Sequence, residues 1–251
     1  MKIVRCQTAL GPRYGIVTGE VVQLLSGPPF GEYRLEQELA LEKAQLLAPC
    51  EPTKIVAVGI NYRGHAQELA FDIPAAPLLF LKPPSAVIGP GAAIVLPAMS
   101  RQVDYEGELA AVIGRRAKNV EEGEALDYLL GFTCINDVTA RDLQKEDGQF
   151  TRAKGFDTFA PLGPWIETDL PADRVHLETL VNGKTRQSAT TGDMLRGTAE
   201  LVSFVSRIMT LEPGDVLATG TPAGIGPLRP GDTVTVSIEK IGTLTNKVVS
   251  A

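Results

Sequence analysis

The stretch VDYEGELAAVIG (residues 103–114) decides how the rest of the chain is read. Its tail, LAAVIG, has the composition of a buried strand, yet Asp104, Glu106 and Glu108 stand at alternate positions ahead of it. A strand sends residues i, i+2 and i+4 to one face, ~6.6 Å apart at ~3.3 Å rise per residue. Three carboxylates projecting together beside a core segment repel one another unless water or a cation compensates. An exposed strand face is one resolution, because Glu-x-Glu is common there. A bound cation is the other.

Outward from this stretch, the chain from Thr53 onward alternates short β-branched runs with Gly/Pro punctuation: KIVAVG, LLFL, AAIVLP, GFTCINDVT, VHLETLVNG, DVLATG and DTVTVSIE. Three stretches read as helices. These are residues 62–71, residues 121–130 behind an acidic start, and residues 198–209, where Leu201, Phe204, Val205 and Ile208 share a face. Many strands, few helices and no regular β-α-β alternation predict a mainly β roll or sandwich rather than a doubly wound sheet. The first 49 residues read as a small β/α lead-in unit, with residues 50–251 as the main domain. In the lead-in, RYGIVTGEVVQLL (residues 13–25) predicts two strands around a Thr-Gly-Glu turn. LEQELALEKAQLLAP (residues 35–49) predicts a helix that stops at proline.

Bulk composition narrows the function classes. With 24 basic and 30 acidic residues the formal charge is −6, and the sequence pI is about 5.1. Nucleic acids and anionic membranes need clustered Lys and Arg, so neither is an expected partner. Cys6, Cys50 and Cys134 are widely spaced with no C-x-x-C, which argues against a disulfide framework and a zinc ribbon. MKIVRCQTALGP lacks the apolar run of a signal peptide and PLLFL is too short to span a bilayer, so a reducing cytoplasm is the expected compartment.

Candidate chemistry sits in four segments. In NYRGHAQELAF, His65 and Glu68 are i, i+3 and share a helix face; the pair is either a surface hydrogen bond or an imidazole made more basic by a carboxylate. His176 reads as a structural strand residue. In GFTCINDVTARDLQ, Asp137 ends an apolar strand before a helix opening near Thr139. It is either an N-terminal cap or a third oxygen ligand beside Glu106 and Glu108. Three carboxylates without His or Cys select a hard ion, Mg²⁺ or Mn²⁺, over zinc. In TRAKGFDTFAPLGPW, Lys154 is either a solvated charge or a cation that meets developing negative charge. VLATGTPAGIG lacks the Gly-Lys-Ser/Thr of a phosphate loop; it is a plain turn, or a nest in which Thr221 helps hold a carboxylate.

Taken in order, GINYRGHAQE, LFLKPPSAVIGPG, VDYEGELAAVIGRRAKNV, GFTCINDVTARDLQ, TRAKGFDTFAPLGPW, VNGKTRQSATTGDML and LEPGDVLATGTPAGIG resemble the fumarylacetoacetate hydrolase superfamily, from about Pro52 to the C-terminus. The resemblance is to its short, single-module branch: acylpyruvate and fumarylpyruvate hydrolases, oxaloacetate decarboxylases, and 2-hydroxyhepta-2,4-diene-1,7-dioate isomerases of homoprotocatechuate breakdown. It implies a mixed β-roll, usually a homodimer. It implies Mg²⁺, with Mn²⁺ or Ca²⁺ as alternatives, on Glu106, Glu108 and Asp137, with Asp104 behind them. His65 and Glu68 would form the acid/base dyad and Lys154 an active-site cation. Arg141 and Gln144 would lie beside the substrate, and Thr221 with its turn would hold a carboxylate. VGIN (residues 58–61) lacks the further acid that larger members carry before the histidine, which disfavours fumarylacetoacetate itself. The expected activity is metal-dependent C–C hydrolysis of a 2-oxo acid. Decarboxylation or isomerisation of a 2-oxo or 2-hydroxydienoic diacid comes next, and a non-catalytic binding protein on the same fold last. Residues 69–77 and 145–150 are expected as loops bordering the site.

Overall fold

The computed structural model describes residues 1–251. The chain builds a mainly β architecture of twenty strands with four short α-helices: α1 (Arg63–Leu69), α2 (Arg141–Asp147), α3 (Thr151–Lys154) and α4 (Thr198–Ile208). A large sheet runs Leu35–Ala40, Val21–Leu25, Gly11–Thr18, Lys2–Thr8, Ala160–Glu167, Leu129–Asn136, Gly107–Ile113, Val216–Ala218, Ile55–Gly59 and Leu78–Lys82. A five-stranded sheet runs Lys184–Thr190, His176–Val181, Thr233–Ile238, Gly242–Ser250 and Ile94–Leu96. No helix is long and apolar enough to cross a membrane.

The strand Gly107–Ile113 explains why LAAVI reads as a continuous apolar run. Leu109, Ala111 and Ile113 face a core shared with Leu177, Val236 and Ile238 of the five-stranded sheet and with Leu201, Val202 and Val205 of α4. Ala110 and Val112 face the opposite way, into a second core with Ile3, Ile55, Leu162 and Ile166. A strand buried on both faces needs no polar alternation.

The lead-in joins the large sheet directly, since Lys2 and Ile3 pair with Glu167 and Ile166. The two strands around Thr-Gly-Glu are present as Gly11–Thr18 and Val21–Leu25. The helix expected over residues 35–49 is not formed. That stretch is an edge strand (Leu35–Ala40), a 3₁₀ turn (Leu41–Lys43) and a two-residue strand (Gln45–Leu46). Val21–Leu25 offers a free edge, and Leu39, Leu41 and Leu46 pack on Val4, Cys6, Val22 and Leu24. Tertiary contacts override a helix-forming composition that has no 3.6-residue apolar stripe.

Two further helix expectations need correction. Residues 121–130 form a 3₁₀ segment, Glu122–Tyr128, burying only Ala125, before Leu129 opens a strand. In α4 the buried stripe is Leu201, Val202 and Val205, while Ile208 is 54% exposed.

Candidate active site and metal centre

The three acids of residues 104–108 do not lie on one strand. Val103–Tyr105 belongs to a small three-stranded sheet with Thr139–Ala140 and Gly226–Pro227, and Gly107–Ile113 belongs to the large sheet. The chain changes sheets at Glu106 and Gly107. The Glu106 N–H donates to Asn136 Oδ1 (2.9 Å) and the Gly107 N–H to Gln187 Oε1 (3.0 Å). Glycine is required at 107 because a Cβ there would stand 2.0 Å from Thr179 Oγ1. The crossing leaves Asp104 on the far side of Arg141, whose Nε donates to Asp104 Oδ2 at 2.9 Å and whose Nη2 donates to Glu106 Oε1.

Asp137 joins Glu106 and Glu108 from the neighbouring strand end, and one oxygen of each lies within 4.8 Å of the others. All three residues are buried. The cap reading of Asp137 is excluded, since α2 begins at Arg141 behind Ala140 with no side-chain cap. Instead Asp137 Oδ1 accepts from Lys82 Nζ (2.6 Å) and Oδ2 from Lys154 Nζ (2.5 Å). Lys154 Nζ also donates to Glu106 Oε2 (2.8 Å) and lies 4.8 Å from the Phe80 ring centroid. Four buried acids (Asp104, Glu106, Glu108, Asp137) thus face three buried cations (Lys82, Arg141, Lys154).

The surplus falls on Glu108. Burial, then Asp137 and Glu106, push its carboxyl well above the usual carboxylate range, against the charge of Lys154 and one donor, the Gly220 N–H at 2.7 Å. Burial also acts to raise Glu106, but Lys154 and Arg141 outweigh it and hold that group well below the usual range. Burial lowers Lys82, helped by the like charge of Lys154 and opposed by Asp137. Burial opposes charge on Lys154 too, yet Asp137 and Glu106 leave it raised.

These residues fit a hard divalent cation. Oxygens of one octahedral shell at ~2.1 Å from the ion lie ~3.0–4.2 Å apart, and a ~2.4 Å Ca²⁺ shell reaches ~4.8 Å. The three-carboxylate set matches that span and holds no His or Cys, and with Asp104 the buried acids outnumber the buried cations by one.

Across the cleft stands α1. His65 is 5% exposed, and its Nδ1 lies 3.3 Å from Glu68 Oε2, while Glu68 Oε1 accepts from the Gly224 N–H (3.0 Å). His65, Glu68, Glu106, Glu108, Asp137, Arg141, Gln144, Lys154 and Thr221 all line one cleft of about 720 Å³. The structure therefore brings together every site residue the sequence nominated. Leu69, Phe71, Lys145 and Phe150 border it as expected, although residues 145–147 are the last turn of α2 rather than loop. The Thr221 hydroxyl is already engaged, donating to Gly107 O (2.9 Å) and accepting from Gln187 Nε2 (2.8 Å), which leaves its backbone N–H as the available donor. His176 is an exposed strand residue beside Ser188 Oγ (3.1 Å). Two residues had no role in the sequence reading. Lys82 stood in a recognised segment, and Gln187 in a strand otherwise polar and exposed.

The fold and this site define a family. Residues 54–249 match Fumarylacetoacetate (FAA) hydrolase C-terminal and residues 1–49 match Rv2993c-like, N-terminal, so the chain belongs to the fumarylacetoacetate hydrolase family. A 5-carboxymethyl-2-hydroxymuconate delta-isomerase from Mycobacterium smegmatis superposes with a TM-score of 0.95 at 45% identity, over all of both chains. Oxaloacetate tautomerase YisK of Bacillus subtilis is 42% identical over 83% of this chain and 74% of its own. A maleylpyruvate hydrolase from Sphingobium, in complex with manganese(II) and pyruvate, is 29% identical with a TM-score of 0.84 over all of both chains. The relatives thus include an isomerase, a tautomerase and a hydrolase, and one of them holds a divalent metal.

Proposed function

We propose that this chain is a divalent-metal-dependent enzyme that moves a proton at the carbon next to the keto group of a 2-oxo acid, as a keto–enol tautomerase or double-bond isomerase. The observation that carries the reading is the His65–Glu68 pair facing the Glu106/Glu108/Asp137 cluster across one cleft. A cation held by those carboxylates, with Mg²⁺ favoured, supplies Lewis-acid stabilisation of negative charge on the 2-oxo oxygen.

The chain's own groups do the rest. With Nδ1 turned to Glu68, His65 presents Nε2 as the base that takes the C3 proton. The C–H electron pair becomes the C2=C3 bond, and the 2-oxo oxygen gains the charge. The proton then returns from Nε2 to that oxygen for an enol, or to a more distant carbon for a shifted double bond. Two of Lys154's three N–H groups are fixed on Glu106 and Asp137, which leaves one for substrate. The Thr221 N–H takes a substrate carboxylate oxygen. Arg141 holds Glu106 and Asp104 in place.

Hydrolysis of an acylpyruvate is the second reading, supported by the manganese-bound maleylpyruvate hydrolase. It uses the same base to activate water. A homodimer is proposed with either. Proton NMR in D₂O separates them: deuterium should enter C3 of oxaloacetate, above the spontaneous rate, with Mg²⁺ and not with EDTA. Pyruvate release from acylpyruvates without such exchange would replace the first reading by the second, and neither reaction with metal present would sink both.

A further inference from the structure

Three cationic side chains line the catalytic cleft, and two are already used. Arg141 is engaged by Asp104 and Glu106, and Lys154 by Glu106 and Asp137. Lys145 differs. It is exposed at the cleft wall and makes no ion pair. The acids around it on α2 are engaged elsewhere: Glu146 and Asp147 face Arg152, at 3.4 and 2.5 Å, and Asp142 accepts from Ser100 Oγ (2.7 Å) and the Arg101 N–H (2.8 Å).

A second unused donor sits beside it. Gln144 Oε1 accepts from Arg141 Nη1 at 2.6 Å. Arginine only donates, so this bond fixes the amide orientation and leaves Gln144 Nε2 without an acceptor, in the same cleft. Positions 141, 144 and 145 share one helix face. At 1.5 Å rise per residue, Lys145 begins ~6 Å further along α2 than Arg141, away from the carboxylate cluster. Phe80 and Phe150, edge to face with centroids 5.3 Å apart, line the cleft with them. The α2 wall therefore offers an ammonium and an amide N–H₂ with nothing of this chain to bind.

We propose that Lys145, with Gln144 Nε2 beside it, is the specificity-determining pair that receives a second carboxylate, at the far end of a 2-oxo acid whose first carboxylate is held at the metal centre. The inference rests on the function proposed above and adds the residue that selects dicarboxylic over monocarboxylic substrates. A full charge meeting an uncompensated ammonium and an amide donor forms charge-assisted hydrogen bonds, and a chain ending in a methyl group forms none.

The test compares two five-carbon acids, 2-oxoglutarate and 2-oxopentanoate, by calorimetry on the Mg²⁺-loaded protein. The native chain should bind the diacid at least about tenfold more tightly, as expected of a charge-assisted hydrogen bond in a half-open cleft. Lys145→Gln should bring that ratio to within about threefold, Lys145→Glu should invert it, and Lys145→Arg should keep most of it. Rising salt should shrink the native ratio. Lys145 is exposed, so these variants should fold, and an unchanged melting temperature checks that. Equal binding of both acids by the native chain, or a preference that survives Lys145→Gln, would overturn the proposal. Absence of Mg²⁺-dependent binding by either acid would instead overturn the reading of the site on which it rests.

Discussion

The two walls of the cleft differ in how completely their polar groups are engaged. On the carboxylate wall, both oxygens of Glu106 and both of Asp137 meet a cation, and the supporting backbone is tied to Asn136 and Gln187. On the α1 wall, seven residues begin behind Tyr62 with no side-chain cap and stop at Ala70 in a left-handed conformation (φ 54°, ψ 39°). A helix that short has little stability of its own. It is tied by Glu68 to Gly224 and, beyond its ends, by Arg196, which bonds Asn61 on one side and Ala75 O (2.6 Å) on the other. One wall is a fixed template that sets where charge can be held. The other carries His65, whose second ring nitrogen has no hydrogen-bond partner in this chain and is the base proposed above.

The largest effects should come from breaking each wall separately. His65→Ala should leave Mg²⁺ affinity within a factor of about two and slow turnover by ~10²–10⁴-fold, the usual worth of a positioned base. Calorimetry beside steady-state rates checks this, and a matched loss of metal affinity would show the walls are not independent. Lys82→Met should act on the opposite wall and on stability. Removing one partner of a buried pair costs about 3–5 kcal/mol, and the surviving Lys154–Asp137 bond places the loss near the lower figure. For a chain of this length that is a fall of ~6–12 °C in melting temperature. Saturating Mg²⁺ should narrow the gap, because a cation meets the charge exposed on Asp137.

How much of this is visible in the sequence follows from distance along the chain. His65 and Glu68 are three apart, so helical spacing alone pairs them. Glu106 and Glu108 stand out because acids inside a β-branched run are costly. That Asp137 joins them depends on strand pairing, with Gly107 opposite Asn136; its place at the end of an apolar strand left a cap and a third ligand both open, and the family resemblance favoured the ligand. Lys82 meets Asp137 across 55 residues, and a lysine closing LLFLK looks like an ordinary strand end. Residues 35–49 show the converse failure. Their composition favours a helix, but a free sheet edge and a leucine-lined hollow decided the outcome. Local patterns found the groups that act through near neighbours and missed those that act through the fold.

The opposite displacements of Glu106 and Glu108 give a pH test of the carboxylate wall. Glu106, held low, contributes stability that is present above about pH 4.5 and is lost as pH falls toward its folded value. Glu108, held high, does the reverse: without metal its contribution is intact below about pH 4.5 and declines as pH rises toward its folded value. A divalent ion at these carboxylates competes with the proton of Glu108, so the melting-temperature gain from Mg²⁺ should grow as pH rises above about 4.5. At a hundredfold excess over Kd the gain is about 2.7 kcal/mol, or ~5–11 °C. Glu108→Gln should abolish both the gain and its pH dependence in thermal scans. A gain that is flat with pH would mean Glu108 is not a ligand.

The smallest effect asks what keeps the carboxylate wall in register. Gln187 comes from the five-stranded sheet and is 1% exposed, and its amide reaches three groups of the site, two of them backbone: the Gly107 N–H, Pro222 O and the Thr221 hydroxyl Oγ1. It joins the crossing between Glu106 and Glu108 to the turn that presents the Gly220 and Thr221 N–H groups. Gln187→Leu keeps similar bulk but leaves the Gly107 N–H buried without a partner, at a cost of about 1–3 kcal/mol. Lost stability alone would make Gln187 a core residue like any other. Because it links the segment of Glu106 and Glu108 to the turn at Thr221, the proposed site predicts that KM and the Mg²⁺ Kd rise together by several-fold while the pH profile proposed for His65 stays in place. Gln187→Glu separates charge from geometry, since it can still accept from Gly107 but cannot donate to Pro222 O when ionised. A variant that loses stability yet keeps native KM and metal affinity would mean that the wall holds its register without this clamp, through Gly107 and the ion pairs alone.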